Sequence, residues 1–314
     1  MSRAVGAAAA FTMTALAACG GPDGASENQV TVSLTPIADL APYWLGVEQG
    51  FYADEGLDVT IQPNQGGAAA LPAVMSGKVQ FSSANPNTLY VAADQGLAPR
   101  ILLTSAASTG EESNDVGAVV TTADSTIQDA GDLPGASVAV PTLNSIGDPT
   151  IRRSVQNAGG DDGTVDFVEV PFPEMTAALE AGNVDAAFLV EPFLSSWLRS
   201  DGRAVVWNYV ETADQMPITS LYTSQQVMDD DAELVESFVA ATRRSLEYAA
   251  ENPDEIKSIL GTFTELSPEQ IAQMTFSRWT SEVDRTGYEA LAEQVLTDGS
   301  VDRAPDLSAL LPAL

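Results

Sequence analysis

Residues 30–62 read VTVSLTPIADLAPYWLGVEQGFYADEGLDVTIQ, and the order of patterns within them decides the fold. Val30 to Leu34 alternates apolar and polar residues, as a strand with one covered face must. Pro42 to Gln49 reads as a helix stopped by Gly50, and Leu57 to Gln62 is a second strand. A helix between two strands allows the strands to lie parallel, because the helix carries the chain back across the sheet. The pattern then repeats. Ala68 to Ser76 is helical and ends at Gly77, Val79 to Ser82 is a strand, Asn85 and Pro86 open another helix, and Ile101 to Thr104 is a fourth strand.

A second series follows a polar break at Ser108 to Asp115. Strands are expected near Val116 to Thr121, Ser137 to Val140, Val165 to Val170, Ala186 to Val190 and Val205 to Trp207. Helices are expected at Pro149 to Asn157, Glu174 to Ala181 and Pro192 to Ser200. From Asp231 the pattern is helical, with an apolar stripe through Leu234, Val235, Phe238, Val239 and Leu246 between Ala232 and Asn252. Ser267, Pro268 and Gln270 together read as a capping box. Outside the amino-terminal segments there is no internal repeat or low-complexity tract.

The amino terminus is a different kind of sequence. A short positive start, Met1 to Arg3, precedes an apolar, alanine-rich run from Ala4 to Ala17, the pattern of an export signal. The run is too short for a spanning helix, which needs about 20 apolar residues, and no later segment is expected to span. It ends in Leu16, Ala17, Ala18 and Cys19, which resembles the bacterial lipoprotein box and implies a diacylglycerol on the Cys19 sulfur. Two acyl chains anchor stably, at roughly 0.8 kcal/mol per buried methylene. The plainer alternative is an ordinary signal with an incidental cysteine. Residues 1–19 are therefore assigned to the signal and its cysteine, and residues 20–28, small and polar, to a flexible tether.

Composition excludes several functions. Cys19 is the only cysteine, so no intrachain disulfide can form. The 314 residues carry 13 basic and 44 acidic side chains, a formal charge of −31, which makes nucleic acid and anionic lipid surfaces poor partners. The chain has no histidine, which removes the usual base of nucleophilic sites and the commonest nitrogen ligand of metals. No catalytic residue, cofactor or metal ligand is assigned. An acid-based extracytoplasmic hydrolase is the distant alternative, although no spacing singles out a carboxylate pair. About 285 residues remain after the tether, enough for two lobes.

Several stretches, in order, resemble the NMT1/THI5-like group of ABC-transporter solute-binding proteins, which includes nitrate, alkanesulfonate (SsuA-like), taurine and thiamine-pyrimidine binders. They are APYWLGVEQGFYADEGLDVTI from Ala41, the Gly66 and Gly67 pair, SGKVQFSSAN from Ser76, and ALEAGNVDAAFLVEPF from Ala178. The resemblance implies an α/β, two-lobed periplasmic-binding-protein fold of type II, each lobe a mostly parallel sheet flanked by helices. Lobe 1 would comprise residues 29–115 plus 220–314 and lobe 2 residues 116–219, with crossings near Asn114 to Gly117 and Met216 to Leu221. It also implies an extracytoplasmic, lipid-anchored monomer that captures a solute by hinge closure and hands it to an ABC permease and its ATPase. A sensor subunit would share the fold and the pocket. Related eukaryotic enzymes make the thiamine pyrimidine from a bound cofactor and their own histidine, which this chain lacks along with their cysteine-rich metal motif.

Ligands of open α/β sheets sit beyond the carboxyl ends of strands, where helix amino termini present free amides. The candidate ligand-binding residues are therefore Thr35, Tyr43 and Trp44 after the first strand, Gly66 and Gly67 after the second, and Ser83 and Asn85 after the third. From the second lobe come Thr142, Asn144 and Ser145, and Glu191 after Val190. Each has a structural alternative. Asn85 before Pro86 is a helix cap, Thr142 with Ser145 a turn, the glycine pair a turn needing positive φ, the aromatics core, and Glu191 a helix start. Arg152 and Arg153 fall inside a helix and Arg100 at the start of a strand, while Asp148, expected to cap the helix at Pro149, and Glu191 are negative. This balance favours a neutral, zwitterionic or amine-bearing solute, such as a pyrimidine-type thiamine precursor or taurine, over a simple anion.

Overall fold

The computed structural model of the protein describes residues 28–200 and 202–312. The export segment, Cys19 and nearly all of the tether lie outside the described residues. Strands β1 (Gln29–Leu34), β2 (Asp58–Pro63), β3 (Phe81–Ala84), β4 (Pro99–Ala107), β10 (Pro217–Ser224) and β11 (Arg278–Trp279) form one sheet, in the order β11-β4-β10-β3-β1-β2. The second sheet contains β5 (Gly117–Thr122), β6 (Ser137–Val140), β7 (Asp166–Glu169), β8 (Ala186–Val190) and β9 (Gly202–Val206), in the order β7-β6-β8-β5-β9. β1 pairs in parallel with β2 and β3, and β6 with β7 and β8. The strands that first enter each sheet after a crossing run the other way: β5 is antiparallel to β8 and β9, and β10 to β3 and β4.

The helices are α1 (Ala41–Glu48), α2 (Phe51–Asp54), α3 (Gly67–Met75) and α4 (Pro86–Asp94) in the first series, and α5 (Gly147–Asn157), α6 (Phe172–Glu180), α7 (Phe193–Arg199) and α8 (Asn208–Thr212) in the second. After β10 come α9 (Gln225–Asp230), α10 (Ala232–Glu251), α11 (Pro253–Phe263), α12 (Pro268–Gln273), α13 (Arg285–Thr297) and α14 (Leu307–Leu310). The stripe on α10 buries Val235, Phe238, Val239 and Leu246, and Phe238 stacks on Phe81 of β3 with ring centroids 4.0 Å apart. Truncating such a buried ring costs about 3–5 kcal/mol. At α12 both bonds of the Ser267–Gln270 capping box form.

Several segments differ from the pattern read in the sequence, three of them with a bearing on the lobes. β3 begins at Phe81, not Val79, because the amides of Lys78 and Val79 close the end of α3 on the Ala73 carbonyl, at 3.0 and 3.3 Å. β9 begins at Gly202, ahead of the expected Val205. The largest difference is β10, where Met216 to Leu221 reads as a crossing. All eight residues from Pro217 to Ser224 are buried between β3 and β4, so the alternation that identifies a half-exposed strand is absent.

Hydrophobic packing links the two sheets. Tyr90 of α4 and Leu291 and Val295 of α13 belong to the same buried cluster as Val138, Val140, Ile151 and Phe188 of the second series. Tyr288 of α13 bonds through its hydroxyl to Thr104 (2.9 Å) and Ser220 (2.7 Å), fastening this helix to β4 and β10.

Candidate functional site

The carboxyl end of β3 meets the carboxyl end of β6. Asn85 donates from Nδ2 to Ser145 Oγ at 3.0 Å, and Asn87 donates from Nδ2 to the carbonyls of Asn144 and Ser145, both at 3.0 Å. Asn87 is fully buried, and its Oδ1 has no hydrogen-bond partner. Just beyond β8, Glu191 accepts the Thr275 amide at 3.1 Å, while Ser195 donates to the Gln273 carbonyl at 3.2 Å. The two edges are thus joined at two places, by segments that fold with different sheets.

Asn85 uses both ends of its amide. Its Oδ1 caps α4 by accepting the Thr88 amide at 2.9 Å, and its amino group reaches Ser145. Thr35 donates to Asn64 Oδ1 (2.7 Å), which also accepts the Gly66 amide (3.0 Å), tying the ends of β1 and β2 together. Gly66 has φ +143°, a conformation that favours glycine. Gly67 lies so close to β3 that an added Cβ would meet the Ala84 Cβ at 2.5 Å. Thr142 and Asn144 are exposed on the loop after β6, with Asn144 at φ +55°.

Three of the candidates lie inside the first lobe. Tyr43 is buried, its hydroxyl 2.6 Å from Ser105 Oγ. Trp44 stacks on Phe263 with centroids 4.0 Å apart. Ser83 donates to the Ser220 carbonyl at 3.2 Å. Asp148 also differs from its expected role. The helix begins two residues earlier than expected, at Gly147, and Asp148 does not cap it but accepts the Asn144 amide at 2.8 Å, fixing the loop that faces Asn87.

The acids at this junction are held in uncommon surroundings. Burial pushes Asp148 up to about 6, with Asp298 adding repulsion and the Asn144 amide and Arg152 opposing the shift. Asp39, which follows β1 and accepts from Ser277 Oγ, is likewise pushed up to about 6, by burial against the Ser277 hydrogen bond and with Asp115 adding to the rise. Glu191 is raised by burial, against the hydrogen bonds from Ser195 and Thr275. Asp115, in the crossing before β5, is buried and accepts from Ser108 Oγ at 2.6 Å and from the Thr109 and Val116 amides. Asp39, Asn87, Asp115, Thr275 and Ser277 are absent from the sequence candidates. The available signal was position after a strand, which marks Asn87 as well as Asn85, but nothing local marks Ser277. Among the described residues no group of three or more His, Cys, Asp or Glu side chains could hold a metal ion.

Two sheets, joined by two crossings and meeting through strand ends, define a periplasmic-binding-protein fold. The aliphatic sulphonate binding protein SsuA of Escherichia coli has the same fold: its crystal structure superposes with a TM-score of 0.75, covering 92% of this chain and 93% of that one at 13% identity. The chain belongs to the NMT1/THI5 like family, whose model matches residues 37–256. Among curated relatives, the formylaminopyrimidine-binding protein of Halalkalibacterium halodurans is 23% identical over 76% of this chain and 72% of its own length. The taurine-binding periplasmic protein of Escherichia coli is 25% identical over 58% of this chain and 53% of its own length.

Proposed function

We propose that the chain is the extracytoplasmic solute-binding component of an ABC importer, which captures a small organic molecule between two lobes and delivers it to a permease and its ATPase. The observation that carries this reading is the pair of side-chain bridges between the strand ends of the two sheets, Asn85 and Asn87 on one side and Glu191 on the other. Bonds of this kind exist only when the edges meet, so a solute that favours the closed state shifts the population toward it. Relatives named for formylaminopyrimidine and taurine support a small organic solute. These relatives are named as binding proteins.

The lobes are residues 29–115 with 217–312, and 116–216; the second crossing falls before Pro217, because β10 pairs with β3 and β4 of the first sheet. Thr35, Gly66, Asn85, Thr142, Asn144, Ser145 and Glu191 form the rims of the cleft. Cys19 carries the lipid that holds a monomer at the outer face of the cell membrane; no helix among the described residues is long and apolar enough to cross a membrane. Native mass spectrometry of the purified chain tests the reading. The expected result is one solute per chain, released unchanged in mass, and adding it at one hundred times its dissociation constant stabilises the fold by about 2.7 kcal/mol. Steady conversion of the bound molecule to a product would sink the proposal.

A further inference from the structure

Four buried polar atoms converge where helices of both series meet, and none of them has a hydrogen-bond partner. α13, fastened to β4 and β10 through Tyr288, packs on α4 and on α5. Leu291, Gln294, Val295 and Asp298 follow the spacing i, i+3, i+4, i+7 and so share one face of α13 and its cap. Asp148 and Ile151 likewise share a face of α5. Leu291, Val295 and Ile151 belong to one buried cluster, so the two faces meet and bring their polar members together. Asn87, in the first turn of α4, joins them through Asn144, whose carbonyl accepts from Asn87 Nδ2 at 3.0 Å and whose amide donates to Asp148 Oδ2 at 2.8 Å. The atoms left over are Asn87 Oδ1, Asp148 Oδ1, Gln294 Nε2 and Asp298 Oδ2, half of the eight unpartnered buried side-chain atoms among the described residues.

Asn87, Asp148 and Gln294 are 0%, 5% and 3% exposed, so bulk water does not serve these atoms. A buried polar atom without a partner is costly, and a buried carboxylate without a counterion is more so. Arg152, one turn along α5 from Asp148, is engaged elsewhere: it donates to the Asp162 carbonyl at 2.6 Å and lies 5.0 Å over the Phe167 ring. No ion pair among the described residues includes Asp148 or Asp298. Gln294 presents Oε1 in place of Nε2 when its amide turns over, because the two ends have the same shape. The set then offers four oxygens from three helices, two of them from carboxylates, with no imidazole or thiolate, which suits a hard cation. Calcium accepts side-chain amide carbonyls beside carboxylates in flexible geometry, whereas magnesium demands a near-ideal octahedron.

We propose that Asn87, Asp148, Gln294 and Asp298 bind one calcium ion, which ties α13 to α4 and α5 and so holds the two series together at this point. The test is calorimetric titration of the full chain, stripped with EDTA, with calcium chloride and with magnesium chloride. About 1 M potassium chloride shortens the screening length to ~3 Å and suppresses the diffuse pull of the acidic surface. The expected result is one calcium per chain with a Kd of about 0.1–1 mM, the range of extracellular calcium modules, and weaker binding of magnesium. Asp148→Asn and Asp298→Asn each remove a charged ligand and should weaken calcium binding roughly 10-fold or more. Glu236→Gln, at an exposed acid of α10, should leave it unchanged. Unfolding curves show whether each variant folds and give a second readout. Calcium should raise the melting temperature of the wild type and of Glu236→Gln, and leave Asp148→Asn and Asp298→Asn where they melt in EDTA. Should Asp148→Asn not fold, Asp298→Asn carries the test, since Asp298 is only half-buried. Absence of saturable calcium binding, equal binding in all four chains, or magnesium bound more tightly than calcium would overturn the proposal. None of these outcomes touches the reading of the chain as a solute-binding protein.

Discussion

Among the described residues the Asn87 side chain makes no hydrogen bond within its own lobe, and its Nδ2 reaches across to the loop after β6. Each such bond contributes about 0.5–1.5 kcal/mol net. Asn87→Ala should therefore weaken solute binding roughly 10-fold, measured by titration, because only the closed form loses contacts. An unchanged affinity would remove Asn87 from the closing surface. Asp148, on the other side of this contact, sets a pH dependence. Its folded value of about 6 lies above the ordinary 3.8, so its contribution to stability is complete below about 3.8 and is lost as pH rises through about 6. The loss is on the order of 3 kcal/mol. Asp148→Asn keeps an acceptor for the Asn144 amide and should raise the melting temperature at pH 8 relative to the wild type, with no gain at pH 4. The residues legible in the sequence were those whose chemistry is local. Asn85 announced itself as a cap before Pro86, whereas the partner of Asp39 is Ser277, 238 residues away, and no spacing rule spans that distance.

At the scale of elements, the parallel units were legible because each carries its own stop signal. Gly50 ends the segment of α1 with φ +77° and Gly77 that of α3 with φ +71°. β10 was not legible, since a strand covered on both faces shows no alternation, and its polar residues serve neighbouring elements. Ser220 is one of them: with Thr104 it holds the Tyr288 hydroxyl of α13, the helix that packs on α4 of one lobe and α5 of the other. Removing that hydroxyl leaves two buried partners without it, at a cost of about 1–3 kcal/mol. Tyr288→Phe should lower the denaturation midpoint accordingly in chemical unfolding; a midpoint within error of the wild type would mean that α13 is held by packing alone. The aromatics after β1 illustrate the limit of placing residues by strand ends. Position put Tyr43 and Trp44 near the cleft, but the helix turns both into the packing of the first lobe.

At the scale of the whole molecule, the sequence conveyed two lobes through its length and its break at Ser108 to Asp115, and the family through ordered stretches from Ala41 to Phe193. How the lobes meet depends on bonds between residues about sixty apart or more, and these were not legible. Those bonds are also what a solute must stabilise. The most direct test of capture by closure is small-angle X-ray scattering of the full chain, in detergent if lipid is attached, with and without the solute identified by native mass spectrometry. The expected result is a smaller radius of gyration on saturation, with the compaction reduced in Asn87→Ala. A saturated complex whose scattering curve overlays that of the solute-free chain, in wild type and variant alike, would contradict closure as the mechanism of capture.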